Sequence, residues 1–178
     1  MFTKPIQLLS AGLMILSAGT ALAQGQKTID QTAVVDLYKG IVESKIAGGE
    51  YLVSYHDRHY HDELDLIIIF SGQNEKRKFG KTFMDHNKAT FIQAIKQNGK
   101  TLSHKDGSYD VEDVSVDSTG RKAQVNVKLV SHFEVFSEEQ QEMRFAEETM
   151  KCNDTVVLNE EDILQIKSSQ CDVFVDMR

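Results

Sequence analysis

The densest group of side chains that could do chemistry lies between residues 56 and 65. It contains half of the six histidines of the chain. Its members are His56, Asp57, His59, His61, Asp62, Glu63 and Asp65. A dependable helical zinc pair stands four residues apart, whereas these histidines offer offsets of three, two and five. The pattern therefore favours a solvated helix end that leads into a strand, and we predict no metal site.

A second set of candidates consists of polar residues expected on inward-facing surfaces. These pocket candidates are Tyr38, Tyr55 and His59 on helices, Ser131 on a strand, and Glu147 or Glu148 on the following strand. A buried tyrosine usually packs its ring in the core and directs its hydroxyl to a carbonyl or water. His59 has the alternative role of orienting Asp62 or a tyrosine at a pocket mouth, where its titration would tune binding. No acid–base set is recognisable, so we predict no catalytic residue and no cofactor.

The two cysteines are predicted to form a structural disulfide. The last hairpin runs from about Met143 to Met177, and if Glu161-Asp162 is its turn, Cys152 and Cys171 lie equally far from that turn. Directly opposite positions on antiparallel strands suit a disulfide. Metal ligation and redox catalysis are disfavoured, because neither a CxxC spacing nor convergent histidines accompany the pair.

The elements that must position these residues begin with helices. Apolar residues at helical spacing predict a first helix from Ile29 to Ile46, with Thr28 and Gln31 as a capping box and Gly48-Gly49 as its end. A second, shorter helix has one face formed by Tyr51, Leu52, Tyr55 and His59.

A hairpin and a third helix are predicted next. Leu64 to Phe70 and Lys76 to Met84 read as strands around the turn Gly72-Gln73-Asn74. The basic run of this hairpin is expected on the solvent face of an edge strand and comprises Lys76-Arg77-Lys78 and Lys81. The third helix is capped by Asp85 or Asn87. It ends at Asn98-Gly99 and buries Phe91, Ile92 and Ile95.

The clearest strand runs from Ala123 to Val135, where apolar and polar residues alternate. Its partner is Tyr109 to Val116, joined through the turn Asp117-Ser118-Thr119-Gly120. The inward positions of the partner shift by one between Val111 and Val114, which predicts a β-bulge.

Composition and charge limit the classes of function. The chain has 178 residues, 40% of them hydrophobic and 26% charged, and a net charge of −7, which fits one globular domain and disfavours nucleic acid as a partner. Residues 1–23 read as a secretory signal peptide, with Lys4, an apolar run, and cleavage after Ala23. We therefore expect residues 24–178 to form a single domain in the periplasm or outside the cell, with no membrane contact after cleavage.

The chain resembles exported bacterial members of the nuclear transport factor 2-like superfamily, which includes ketosteroid isomerase and SnoaL-like proteins. The resemblance lies in Asp57 to Glu63, in Asn87 to Ile92 at the start of a helix, and in Cys152 and Cys171. It implies an α+β cone in which three N-terminal helices pack in a curved mixed or antiparallel sheet.

The resemblance also implies a pocket at the open end of the cone and a homodimer through the outer sheet face, on which Asn126, Lys128, Val130 and His132 are expected. We expect a non-catalytic domain that binds an apolar or amphipathic small molecule or a protein partner. The alternative is a cofactor-independent isomerase, dehydratase or hydrolase of the ketosteroid-isomerase type.

Overall fold

The computed structural model describes residues 27–74, 78–98, 102–137 and 142–177. Within these ranges, three helices and six strands follow one another along the chain. The helices are α1 (Gln31–Ala47), α2 (Gly49–His59) and α3 (Lys88–Asn98). The strands are β1 (Tyr60–Gln73), β2 (Lys78–His86), β3 (Leu102–Val116), β4 (Lys122–Ser137), β5 (Glu142–Leu158) and β6 (Leu164–Met177). The predicted signal peptide, Lys76, Arg77 and Gly99 lie outside the described residues.

One mixed sheet contains all six of these strands, in the order β2-β1-β6-β5-β4-β3. Neighbours are antiparallel except for β1 and β6, which run parallel. Helix α1 packs chiefly against β3, and its buried face joins the inner face of the sheet in one core, which includes Val34, Leu37 and Tyr38. The predicted α+β architecture is therefore confirmed. In the described residues, no helix is long and apolar enough to cross a membrane.

The β3–β4 hairpin follows its predicted pattern. The inward positions of β4 are buried from Ala123 to Phe133. The register of β3 against β4 shifts between Val111 and Asp113, which confirms the predicted bulge. It shifts a second time between His104 and Asp106. Bulges bend a strand and increase its twist, so these two help the sheet to curve over the helices.

The β5–β6 hairpin places the cysteines opposite each other, and they form the predicted disulfide. The turn differs from the prediction, because Leu158 pairs with Leu164 and five residues separate them. A bulge between Thr155 and Val156 then shifts the register by one residue. The displaced turn and the bulge compensate, which is why a prediction from a misplaced turn gave the correct cysteine pairing.

The helix ends correct one prediction and confirm others. Asp30 accepts a hydrogen bond from the Ala33 backbone N–H at 2.8 Å and caps α1, so the predicted Thr28–Gln31 capping box is wrong. Gly48 ends α1 with a φ of 64°, a left-handed conformation that glycine adopts without strain. Asn87 caps α3 by accepting from the Thr90 N–H at 3.0 Å.

Helix α3 is less buried than predicted. Phe91, Ile92 and Ile95 remain half-buried, and Phe91 and Ile95 face a cavity instead of a packed core. The strand that precedes α3 lies at the sheet edge, where Lys78 and Lys81 are exposed, as predicted for the part of the basic run that the structure describes.

Candidate functional site

A cavity of about 460 Å³ lies between α2, α3 and the inner face of the sheet. Its walls are mainly apolar and include Ile68, Phe70, Phe91, Phe133, Met150 and Val173. These residues come from β1, β4, β5, β6 and α3, so the cavity exists only when both ends of the chain have folded together. A cavity of this size with few polar groups is typical of sites that bind small molecules.

Lys45 and Glu148 form an ion pair on the cavity wall. Lys45 Nζ lies 2.7 Å from Glu148 Oε1, and each side chain is 17% exposed. Ser131 Oγ donates to the same carboxylate oxygen at 3.1 Å. Burial raises the pKa of Glu148, but the charge and hydrogen bond of Lys45, aided by Ser131, outweigh it and hold the pKa below its ordinary value. The pair joins the last turn of α1 to β5.

His104 on β3 belongs to the same polar region of the cavity. Burial lowers its pKa, the positive charge of Lys45 lowers it further, and the carboxylate of Glu148 opposes both effects. The imidazole is therefore neutral at physiological pH. Its Nδ1 is buried and has no hydrogen-bond partner among the described residues.

His56 also lines the cavity and is 2% exposed, so the prediction that it lies on a solvated helix end is wrong. Leu52 and His56 stand one helical turn apart and share the buried face of α2. His56 Nδ1 lies 2.9 Å from the Leu52 carbonyl oxygen, which can only accept, so Nδ1 carries the hydrogen and Nε2 is an acceptor in the neutral ring. Burial is the main cause that lowers the pKa of His56 to about 4.

A smaller cavity of about 60 Å³ lies beside the first, and both are lined by Lys45, His56 and Met150. Tyr38 Oη donates to Asp154 Oδ2 at 2.6 Å, and Ser169 Oγ donates to Asp154 Oδ1 at 2.5 Å. Burial raises the pKa of Asp154 to about 6, although both hydrogen bonds oppose this. Burial also raises the pKa of Tyr38 well above its usual value.

Of the predicted pocket residues, Tyr38 and Ser131 lie in this interior polar system, but Tyr55 and His59 do not line either cavity. Tyr55 Oη donates to the Leu37 carbonyl oxygen at 2.9 Å, the structural role expected of a buried tyrosine. His59 stacks on Tyr55 with ring centroids 4.3 Å apart, and its Nδ1 lies 2.9 Å from the Leu164 carbonyl oxygen. Tyr55 is therefore bonded to α1, and His59 to the first residue of β6.

The choice between Glu147 and Glu148 is settled by strand alternation. Glu147 lies opposite the outward residue His132, with 3.4 Å between Glu147 Oε2 and His132 Nε2, so its selection as a pocket residue is wrong. Glu148 faces inward beside Ser131. Asp62, the suggested partner of His59, instead accepts a hydrogen bond from Lys88 at 2.8 Å.

Lys45, Asp154 and His104 were not among the predicted site residues, and His56 was predicted in the wrong environment. Alternation counted from Cys152 would have placed Asp154 on the inner face. Lys45 carries no such signal, because a lysine at a helix end is usually solvated.

Cys152, Asp154 and Cys171 bring three possible metal-ligand atoms within 4.8 Å of one another, but both sulfurs are committed to the disulfide.

No protein-family model and no curated protein matches the chain. Among solved structures, a conserved protein from Planctomyces limnophilus is 14% identical with a TM-score of 0.59, covering 81% of this chain and 95% of that one. A provisionally assigned scytalone dehydratase from Novosphingobium aromaticivorans is 10% identical with a TM-score of 0.52, covering 80% and 82%. A ketosteroid isomerase-like protein from Erwinia carotovora is 11% identical with a TM-score of 0.49, covering 80% and 91%.

These likenesses concern the fold. The Planctomyces and Novosphingobium proteins, both with TM-scores above 0.5, show that the chain shares their fold, which here consists of three helices packed against a six-stranded mixed sheet. That fold supports enzymes as well as binding proteins, so function must be argued from the cavity itself.

Proposed function

We propose that the protein binds a small apolar or amphipathic molecule in the 460 Å³ cavity and performs no chemistry on it. The observation that carries this proposal is the combination of apolar walls with a few polar groups gathered in one region. Efficient acid–base catalysis needs a group that titrates near the working pH. His56 has a pKa of about 4 and the pKa of Glu148 is held low, so both are weak bases. Asp154 has a pKa of about 6, but it lines only the smaller cavity, and both of its carboxylate oxygens accept hydrogen bonds from Tyr38 and Ser169.

The test uses a neutral fluorophore, N-phenylnaphthylamine, whose emission rises in apolar surroundings. Val135 on β4 lines the cavity, and Val135→Trp should fill part of it and weaken binding by at least about tenfold. Val116→Trp is the matched control, because Val116 is an exposed valine on the neighbouring strand. The proposal fails if the wild-type protein does not bind the fluorophore, or if both variants bind it equally.

Export of the chain is the second part of the proposal. The signal-peptide pattern of residues 1–23 supports it, and the disulfide fits an extracellular location. Expression of the full chain in a bacterial host, followed by fractionation and mass spectrometry, should give a periplasmic protein that begins at Gln24. A cytoplasmic product that retains Met1 and has reduced cysteines would contradict export.

A cofactor-independent isomerase is the second candidate, and the position of His56 favours it. His56 presents a neutral ring to the cavity with Nε2 as acceptor. That atom would take a proton from carbon beside a carbonyl group and return it to another carbon, with no net redox change. Proton exchange in cyclic ketones, followed by NMR in heavy water, would then fall at least about a hundredfold in His56→Asn. His61→Asn, outside the cavity, should leave it unchanged, and absence of exchange in the wild type rules this candidate out.

A further inference from the structure

The polar region of the cavity contains one full positive and one full negative charge. Lys45 Nζ uses one of its three N–H bonds on Glu148 Oε1, and Ser131 donates to that same oxygen. No hydrogen bond from the described residues reaches Glu148 Oε2. The two charges of the pair therefore neutralise each other. Lys45 still has an N–H donor available, and Glu148 still has Oε2 available as an acceptor.

Two neutral imidazoles stand beside the ion pair. His56 offers Nε2 as an acceptor, because its Nδ1 is committed to the Leu52 carbonyl oxygen. His104 has a buried Nδ1 without a partner among the described residues. Buried polar atoms nearly always have partners, and both histidines line the large cavity. A ligand that enters the cavity is a natural partner for these atoms.

From this arrangement we infer that the ligand has an apolar body and an uncharged head group that both donates and accepts hydrogen bonds, such as an alcohol or a primary amide. This inference rests on the proposed binding function and specifies its ligand. A carboxylate head would be attracted by Lys45 and repelled by Glu148 to similar extents, so its lost hydration would not be compensated. An ammonium head would be attracted by Glu148 and repelled by Lys45 to similar extents, so it would lose its hydration in the same way. A hydroxyl loses far less hydration and can use both free positions.

The experiment compares three probes with the same ten-carbon chain: decanol, decanoate and decylammonium. Each displaces N-phenylnaphthylamine from the purified protein at neutral pH. Decanol should bind at least about tenfold more tightly than either charged probe. Equal affinities, or a preference for a charged probe, would overturn the inference while leaving the binding function intact. If the fluorophore itself does not bind, the proposed function fails instead.

Variants of the ion pair test the cause of the preference. Glu148→Gln leaves Lys45 uncompensated and should shift the preference toward decanoate by at least about tenfold, whereas Lys45→Met should shift it toward decylammonium. Glu43→Gln is the matched control, because Glu43 pairs with Lys39 on the exposed face of the same helix. It should leave the ranking unchanged.

Removal of both charges together provides a final variant. Lys45→Met with Glu148→Gln avoids an unpaired buried charge and should keep the preference for decanol. Circular dichroism identifies any variant that does not fold, and the wild-type ranking then decides alone. A Glu148→Gln protein that folds and still ranks the probes as the wild type does would overturn the role of the ion pair.

Discussion

Asp154 is a carboxyl group held beneath the cavity by two hydroxyl donors, Tyr38 and Ser169. Its folded-state pKa of about 6 lies above the ordinary value of 3.8, so folding favours the protonated form. The resulting stabilisation is fully present below the unfolded-state pKa and is lost as pH rises through about 6. This trend opposes that of Glu148, whose lowered pKa makes its contribution disappear as pH falls.

Asp154→Asn removes a titrating group from the core and should change the pH dependence of stability. Between pH 7 and about pH 5, the wild type should gain roughly 1 kcal/mol of unfolding free energy relative to the variant. Urea unfolding at both pH values measures this difference. Asp172→Asn, at an exposed outward position on β6, is the control. A constant difference between wild type and Asp154→Asn would show that Asp154 does not titrate in this range.

The roles of single residues were only partly predictable. Ser131 and Tyr38 follow from strand and helix periodicity, since both lie on apolar faces. His56 was misplaced because its neighbours along the chain are polar, although burial depends on the helix face. Lys45 and Glu148 are 103 residues apart in the sequence, and no local sequence pattern predicts a contact between residues so far apart.

Gly48 forms the junction between helices α1 and α2. Its φ of 64° is unfavourable for a residue with a Cβ, although no atom lies within 4 Å of the position a Cβ would take. Gly48→Ala should therefore cost about 1 kcal/mol of stability through backbone strain alone. Gly80→Ala is the control, because its surroundings are also open and its φ is not positive. Equal losses of stability in urea unfolding would contradict this interpretation.

The disulfide between β5 and β6 can also be tested. Cys152 and Cys171 close a loop with a sequence separation of 19. Replacing both by alanine should lower the unfolding free energy by roughly 3 kcal/mol, mainly because the unfolded chain gains freedom. Denaturant unfolding measures the loss, and a reductant should destabilise the wild type but not the double variant. A reductant effect of equal size in both proteins would refute this account.

Most elements and the antiparallel hairpins could be predicted, because periodicity, caps and turns are local signals. The β3 bulge and the alternation of β4 are examples. The parallel pairing of β1 with β6 could not be predicted from local signals, because the two strands are far apart in the sequence and no turn connects them. The cavity was implied only by the family resemblance, because a cavity is what remains between elements whose packing the sequence does not specify locally.

For the whole molecule, the outer sheet face is where a second subunit is expected. Val130, Thr149 and Phe174 lie in one row across three strands, and Phe174 is 42% exposed. The protein at high concentration should sediment as a dimer, and Phe174→Glu should shift it toward monomer because a charge would be buried at the contact. Val116→Glu, at an exposed strand end, should not. A strict monomer in the wild type would contradict this arrangement.

Helix α1 is synthesised before the residues of the sheet to which it bonds. It is the first described element to leave the ribosome, but the residues that bond to it or to its N-terminal flank from the rest of the fold are synthesised later. Ile29 N donates to the Gly120 carbonyl oxygen just before the helix, Tyr38 donates to Asp154, and Lys45 pairs with Glu148. A nascent chain that has not yet reached β5 can pack α1 against β3, but it lacks the partners of both Tyr38 and Lys45. The side-chain bonds that hold α1 on the sheet therefore form only after β5 has been made, when most of the chain is already present.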